Sequence, residues 1–493
     1  MPFNNKVHIK QFVCLSAFAL LYGYLSYKAI TSESILLMLG LPGLILIYYF
    51  YDNPVVCFWT ILYSAMLAGV AVSYVPGMFN FRWGINLLAL LLGISMMLKI
   101  FLRHPRVRFR SDPVFFFYTV LLLYAVLFSL INGIPTKQII IALKNNFQFY
   151  PVLLFFLIYP LHCKFPSQLV KAISIIALIQ PPIVLFQYFF IVPKLKYTTG
   201  VSSSSVLDAV CGSFGTSLSG GGTGTYTLFT CAILCGLMTA YNKKMISTKK
   251  WILLSIYFLF PMFLNETKAA FLFLLLGSFV AIGLDRSMFA MKKILMVFFA
   301  VLLGSSMIWA TIQMSIHYNV SPQKLIKQTL AYTSGDVGYG KYRLNRMSCL
   351  TFWWQKNKQN PVQLFIGHGL DSTIESDVVS LSTAGSVARR YPQYGTGLTT
   401  ASQMLWETGL AGFLIFMAIF FSSFRECIKL ARSTILSAKE QLIAIWTATG
   451  LSLTIMIFFY NSSFRNSQPA NMFIILLLSL TILLKLRYQE KTS

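Results

Sequence analysis

Charged side chains are scarce in this sequence, and acidic ones are scarcer than basic ones. Only 11% of the 493 residues are charged, with 40 Lys and Arg against 14 Asp and Glu, while 56% are hydrophobic. A water-soluble chain with a mean hydropathy of +0.68 would expose large apolar patches. This excludes a soluble nucleic-acid-binding protein in spite of the net charge of +26. The basic excess must instead reflect membrane topology or an anionic substrate.

Motifs for metal or redox chemistry are also lacking. The eight cysteines are scattered, with no C-x-x-C pair and no nearby His at metal-ligand spacing, which indicates small apolar residues that fill gaps between helices. No D-x-D-like acidic pair follows the first apolar run, where Glu33 stands alone, and this disfavours a glycosyltransferase with an early acidic catalytic loop. Cys211 and Cys349 fall in predicted external loops, so a disulfide between them is compatible with the topology.

Apolar runs of membrane-spanning length recur along the whole chain. They predict an all-α polytopic membrane protein of about fourteen transmembrane helices. The segment from Thr136 to Tyr150 is predicted to be an interfacial or re-entrant helix, and residues 264–268 a tight hairpin. The predicted spans are 11–30, 33–51, 54–75, 84–102, 113–132, 147–163, 168–192, 223–241, 251–265, 268–285, 291–312, 398–422, 438–460 and 469–486.

Basic residues in the short loops predict the orientation, because cytoplasmic loops are enriched in Lys and Arg. The loops after the fourth, eighth and twelfth predicted spans are basic, and all three fall on the same side as the two termini. Both termini are therefore predicted to be cytoplasmic. The first span lacks a small-residue cleavage site, so we expect a retained signal anchor.

The loops divide the chain into three predicted parts. Residues 1–312 form an N-terminal bundle of about eleven helices with a Gly- and Ser-rich external loop at 193–222. Residues 313–397 form one large external loop, and residues 398–493 contain about three further helices. The large loop has an excess of Lys and Arg, which opposes the positive-inside bias. It is either a solvated surface, since long loops escape that rule, or a site for an anionic substrate.

Residues 338–416 contain the most informative patterns. They read GYGKYRLNRMSCLTFWWQ, NPVQLFIGHGLDS, ARRYPQYGTG and TTASQMLWETGLAGFLIF in that order. The order of these features resembles the O-antigen ligase and O-antigen polymerase superfamily. An Arg-containing segment is followed by an aromatic helix, then by a G-x-G turn, and then by a helix with L-x-E-x-G-x-x-G. The resemblance extends to GSFG at 212–215. It also extends to the pair Thr267 and Lys268, at a place where family members usually carry Ser or Thr followed by Arg.

The resemblance implies a GT-C-like enzyme in the bacterial inner membrane. Such enzymes transfer glycans from an undecaprenyl diphosphate carrier on the periplasmic face, without a metal ion or another cofactor. The implied partners are the lipid-linked oligosaccharide, membrane lipid, a chain-length regulator and a flippase, and nucleic acid is not among them.

One departure from the family pattern separates polymerase from ligase. Ligases carry a His just before the L-x-E-x-G helix, and Leu398 and Thr399 stand at that place here. We therefore expect a polymerase of O-antigen, capsule or exopolysaccharide, with a ligase acting on a lipid A–core acceptor as the alternative. A lipid-linked oligosaccharide flippase is a second alternative, although no two similar halves are visible.

Breaking a bond between a sugar and a diphosphate places negative charge on the leaving group, which Arg stabilises well. Arg343 and Arg346, which share one face if helical, are the first catalytic candidates. Arg389 and Arg390 are candidates for binding the diphosphate. Lys268 and Lys144 are further binding candidates, although snorkelling would also explain them, as would pairing with Glu266 for Lys268.

An acceptor hydroxyl also needs a base or an orienting group. His368 in the glycine turn and Glu407 in the L-x-E-x-G pattern are the catalytic candidates, although pairing with a loop Arg would also explain Glu407. Trp353 and its neighbour Trp354 could stack on sugar rings or lie at the membrane interface.

Overall fold

The structure of the chain is a computed structural model. It describes residues 48–74, 81–102, 110–199, 209–215, 222–264, 269–285, 342–374 and 386–492, with the single positions 301, 304–305, 312 and 338. All regular secondary structure in these residues is helical.

The first group of helices precedes the predicted large loop. They are α1 (Pro54–Tyr74), α2 (Phe81–Phe101), α3 (Pro113–Ile131), α4 (Thr136–Asn146), α5 (Tyr150–Ile158), α6 (Phe165–Phe186), α7 (Val192–Thr199), α8 (Gly222–Asn242), α9 (Thr248–Leu264) and α10 (Ala270–Leu284). A π-helical turn at Gln187–Ile191 joins α6 to α7, and Gly212–Phe214 forms a 3-10 turn.

The second group begins inside the predicted loop. It contains α11 (Ser348–Asn357), α12 (Pro361–Ile366), α13 (Ser386–Arg390), α14 (Thr400–Ala431), α15 (Ala438–Tyr460), α16 (Ser463–Asn466) and α17 (Gln468–Thr492). The described parts of the predicted loop are therefore folded into short helices that pack on the helix bundle.

Seven helices in the described residues are long and apolar enough to cross a membrane, or eight if the bent pair of α4 and α5 forms one span. This confirms a polytopic, multi-pass membrane protein. Each predicted span from 54–75 to 268–285, and each from 398–422 onward, overlaps a described helix. The predicted spans at 11–30 and 291–312, most of 33–51 and most of the hairpin at 264–268 lie outside the described residues.

The outer surfaces of the helices are apolar. On α2 the exposed side chains include Leu87, Leu90, Ile94 and Met97, which are three or four residues apart and so share one face. In water such a stripe would be costly, whereas lipid tails solvate it. The apolar part of the last helix, α17, is almost entirely buried inside the bundle.

Ion pairs gather several basic segments at one end of the bundle, which we call the basic end. Lys485 of α17 donates to Asp112 before α3 (2.8 Å), and Lys491 donates to Glu440 of α15 (2.6 Å). Lys243 after α8 reaches Gln441 of α15 at 3.2 Å. The described segments 132–135, 342–374, 386–399 and 461–467 meet at the opposite end, which we call the loop end.

Two stretches of backbone interrupt the regular helices. The axes of α4 and α5 are bent by 58° at residues 147–149, which fits the predicted re-entrant segment. The second stretch is the π-helical turn at Gln187–Ile191. There the side-chain oxygen of Gln187 accepts hydrogen bonds from the backbone N–H of Cys211 (3.0 Å) and of Gly212 (2.7 Å). The Gln187 amide thus satisfies backbone groups that have no helical partner in an apolar surrounding.

The suggested disulfide is wrong, because Cys211 and Cys349 are both buried and unbridged. Cys211 is packed beside Gly222 at the start of α8, whereas the Cys349 thiol lies 3.7 Å from the Thr399 hydroxyl before α14. The two cysteines belong to different packing environments.

Candidate functional site

The G-x-G turn and the L-x-E-x-G helix are in direct contact. Helix α14 is kinked at Gly409, which has φ 65° and ψ −170°. The kink removes the helical hydrogen-bond partners of the carbonyls one turn earlier. Backbone N–H groups of the turn replace them, because His368 donates to the Trp406 carbonyl (2.8 Å) and Gly369 to the Glu407 carbonyl (2.9 Å).

Glycine is required on both sides of this contact. A Cβ on Gly367 would lie 2.6 Å from the Glu407 carbonyl carbon, and one on Gly409 would lie 2.6 Å from the Gly367 nitrogen. Both residues also have positive φ. The two motifs therefore form one unit in which each glycine allows the other backbone to approach.

The same turn is fixed to the end of α3. The Ser129 hydroxyl accepts from the Leu370 N–H at 2.8 Å, and Tyr124 donates to the Phe365 carbonyl at 3.0 Å. Asn132 also donates to the Gly367 carbonyl at 3.3 Å. These contacts place the segment 365–373 over the gap between α3 and α14.

A buried ion cluster lies directly beneath the turn. Arg465 of α16 donates to Glu407 Oε1 at 2.9 Å and also forms an ion pair with Asp371. The three side chains are only 2%, 6% and 1% exposed for Arg465, Asp371 and Glu407. The Thr373 hydroxyl donates to Glu407 Oε1 at 2.8 Å, and the Gln403 amide oxygen accepts from Arg465 Nε at 3.2 Å.

The cluster contains two carboxylates and one guanidinium. Burial raises the pKa of Asp371 to about 6, and the charge of Arg465 acts in the opposite direction. The charge of Lys144, at the end of α4, also favours the ionised form of Asp371. Lys144 itself lies 3.8 Å from the centre of the Trp83 ring. The predicted binding residue Lys144 is thus near the cluster and supplies it with a second cation.

Glu407 is the predicted catalytic carboxylate. Its burial and its pairing with an arginine agree with the structural alternative for this residue. The partner is Arg465, between α15 and α17, and not an arginine of the 313–397 loop. The Oε2 atom of Glu407 is buried and accepts no hydrogen bond from the described residues.

His368 is partly exposed, and its backbone is bonded to α14 one residue before Glu407. Its Nε2 is 2.9 Å from Oδ1 of Asn357, and its ring lies 5.4 Å from the Trp406 ring, centre to centre. Burial and the charge of Arg390 lower the pKa of His368 to about 4. The imidazole is therefore neutral near pH 7.

Arg343 and Arg346 do not share a helical face, because both precede the first residue of α11. Arg343 lies over the Tyr394 ring at 5.2 Å. Arg346 lies over the Tyr460 ring at 4.1 Å, and its Nε donates to the Tyr460 carbonyl at 2.7 Å. The two predicted catalytic arginines thus point to different aromatic residues, and Arg346 ties the loop to the end of α15.

The remaining predicted binding residues divide into exposed and buried ones. Arg389 and Arg390 are exposed on α13. Trp353 is only 5% exposed and packs with Val387 and Trp406, so other side chains of the protein cover its ring. Its neighbour Trp354 is 52% exposed. Lys268 lies outside the described residues.

Three site residues, Arg465, Asp371 and Asn357, lie outside the candidate set that the sequence predicts. Arg465 is a lone cation in the short polar stretch NSSFRNSQ between two apolar runs, and Asp371 comes two residues after the G-x-G turn. An ionisable residue in such a short loop between spans is a usable signal, because it needs a partner. Nothing in the sequence pairs Asn357 with His368.

No protein-family model matches the chain, and no curated protein is significantly similar to it.

Proposed function

We propose that this protein is a surface-polysaccharide polymerase that joins repeat units carried on undecaprenyl diphosphate. The observation that carries the proposal is the assembly of the G-x-G turn, the kinked L-x-E-x-G helix and Arg465 into one site at the loop end. Arg389 and Arg390 are exposed on α13, and the charge of Arg390 acts on the neutral His368 of this site. Such a site offers cations for a diphosphate together with a group that can accept a proton.

In the proposed reaction, a hydroxyl of one repeat unit attacks the anomeric carbon of another. The bond between that carbon and the diphosphate breaks, and the leaving diphosphate takes the electron pair. Arg389 and Arg390 would bind its oxygens, because the planar guanidinium matches phosphate geometry and stays charged beside apolar surface. These two residues therefore have the role of leaving-group stabilisers.

The proposal includes the topology that the sequence predicts. It places about fourteen spans in the inner membrane in a GT-C-like arrangement, with both termini in the cytoplasm and the loop end in the periplasm. The carrier lipid would reach the loop end from the outer leaflet. A flippase would deliver the repeat units, and a chain-length regulator would act on the product.

The test is an assay of chain growth with the purified protein in lipid nanodiscs and lipid-linked repeat units from its own organism. We expect a ladder of longer products from the wild type. The double variant Arg389→Ala with Arg390→Ala should lower the rate at least 100-fold, because two leaving-group contacts are lost. The matched control removes two exposed arginines at the basic end, Arg425→Ala with Arg432→Ala, and should keep the ladder.

Two results would count against the proposal. Movement of the lipid-linked units between leaflets without chain growth would favour a flippase. Transfer of a glycan to a lipid A–core acceptor, with no ladder, would favour a ligase, although Leu398 and Thr399 stand where ligases carry His.

A further inference from the structure

The hydrogen bonds around Asn357 determine which nitrogen of His368 carries a proton. The Asn357 amide N–H donates to the Trp353 carbonyl within α11 at 2.9 Å. This bond orients the amide so that its oxygen, Oδ1, faces His368 Nε2 at 2.9 Å. A carbonyl oxygen can only accept, so Nε2 must carry the proton. In the neutral ring, Nδ1 is then left with a lone pair.

Nδ1 has no hydrogen-bond partner among the described residues, and the His368 side chain is partly exposed. The other candidate base is less suited. Glu407 is 1% exposed, and its Oε1 atom is bound by both Arg465 and Thr373. An acceptor hydroxyl can reach the His368 ring more easily than the Glu407 carboxylate.

We propose that Asn357 is a positioning residue that fixes the Nε2–H tautomer of His368 and leaves Nδ1 as the base for the acceptor hydroxyl. This inference rests on the proposed function. In the step, the hydroxyl proton moves to Nδ1 while the oxygen bonds to the anomeric carbon, and the diphosphate leaves with the electron pair of the broken bond. The imidazolium keeps its Nε2–H bond to Asn357 Oδ1, which stabilises the new positive charge.

The charges around the ring couple the base to the substrate. Arg390 of α13 is the charge that acts on the ring, and Asp371 and Glu407 are both paired with Arg465. Burial and the Arg390 charge together lower the pKa of His368 to about 4, which would make it a weak base. A diphosphate bound to Arg390 would offset that charge and raise the pKa of His368. The base would thus be strengthened when the donor is present.

The first test does not depend on activity. The protein is labelled with ¹⁵N-histidine, and the His368 signals are assigned by their loss in His368→Gln. We expect a neutral ring with the proton on Nε2 between pH 6 and 8 in the wild type, and a mixture of tautomers in Asn357→Leu. A proton on Nδ1, or an unchanged spectrum in Asn357→Leu, would overturn the assignment.

The second test uses the pH profile of chain growth. Asn357→Asp places a carboxylate beside Nε2, which raises the pKa of His368. The acid limb of the kcat profile should therefore move to higher pH by about one unit or more. Asn357→Leu should lower kcat about 10- to 100-fold with little change in KM. The matched control is Asn360→Asp, which adds the same charge in the same loop and still caps α12; its acid limb should stay in place.

An acid limb that does not move in Asn357→Asp, or that moves equally in Asn360→Asp, would overturn the positioning role. If the wild type itself shows no chain growth, the proposed function fails, while the histidine spectrum still decides the tautomer. The two failures are therefore distinguishable.

Discussion

Arg465 pairs with two carboxylates in a part of the molecule that water hardly reaches. Its side chain is 2% exposed and contacts Glu407 of α14 and Asp371 of the loop. Removing one partner of such a cluster leaves buried charge without compensation, which is far more costly than breaking an exposed pair. The cluster therefore links the loop to α14 at the residue where the site is built.

We expect Arg465→Met to destabilise the protein by about 3–5 kcal/mol, because Glu407 and Asp371 lose their cation. Thermal unfolding of the detergent-purified variant measures this. Lys429→Met is the control, because Lys429 is 57% exposed in its pair with Glu426 and such pairs contribute about 0–1 kcal/mol. Equal shifts of the unfolding temperature in the two variants would contradict the interpretation. A triple variant that combines Arg465→Met with Glu407→Gln and Asp371→Asn should regain stability, because it has no unpaired carboxylate.

The sequence predicts that Glu407 needs a partner, because a carboxylate in an apolar helix is costly alone. It does not predict that the partner is Arg465. The large loop contains four arginines, and Arg389 and Arg390 are closer to Glu407 in sequence. Arg465 becomes adjacent only when α15 and α17 pack together. The same holds for Asn357, whose contact with His368 depends on how α11 packs against the glycine turn.

At the scale of elements, the kink in α14 organises the site. Gly409 has the one non-helical φ and ψ pair inside this 32-residue helix. The kink leaves the Trp406 and Glu407 carbonyls without a helical hydrogen bond. The N–H groups of His368 and Gly369 donate to these carbonyls instead. The turn and the helix can therefore fold in this way only together.

Gly409→Ala should lower the free energy of unfolding by about 1–3 kcal/mol or more, since an L residue is strained at φ 65° and its Cβ would meet the Gly367 backbone. The control is Gly84→Ala in α2, where no atom lies within 4 Å of the added Cβ. That change should be neutral or stabilising by up to about 1 kcal/mol. Thermal unfolding compares the stability of the two variants. A similar loss of stability in both variants, or no loss in Gly409→Ala, would contradict the steric argument.

Hydropathy predicts the elements better than their irregularities. The long described helices follow the apolar runs because length and apolarity suffice for a span. The kink at Gly409 and the π-helical turn at Gln187–Ile191 have no such signal, because their broken backbone bonds are satisfied by residues distant in sequence. The bend between α4 and α5 is the exception, since the polar run KNN at 144–146 and then Pro151 mark it in the sequence.

On the scale of the whole molecule, the two ends of the bundle differ in construction. At the basic end, ion pairs such as Lys485 with Asp112 join helix termini directly. At the loop end, α11 and α12 pack on α14, and Asp371 of the same loop pairs with Arg465. A site on one face is the arrangement expected of an enzyme that meets its lipid-linked substrate from one leaflet, and it differs from the central cavity of a flippase.

The proposed orientation predicts opposite accessibility for the two ends. In a Cys163→Ser background, which removes the exposed cysteine of the described residues, single cysteines replace the exposed Lys358 in the loop and Thr434 between α14 and α15. A membrane-impermeant maleimide applied to intact spheroplasts should label Lys358→Cys. It should label Thr434→Cys only after permeabilisation, because basic short loops stay in the cytoplasm. The reverse pattern would place the loop end in the cytoplasm, where the periplasmic donor could not reach Arg389 and Arg390, and would reject the proposed function along with the topology.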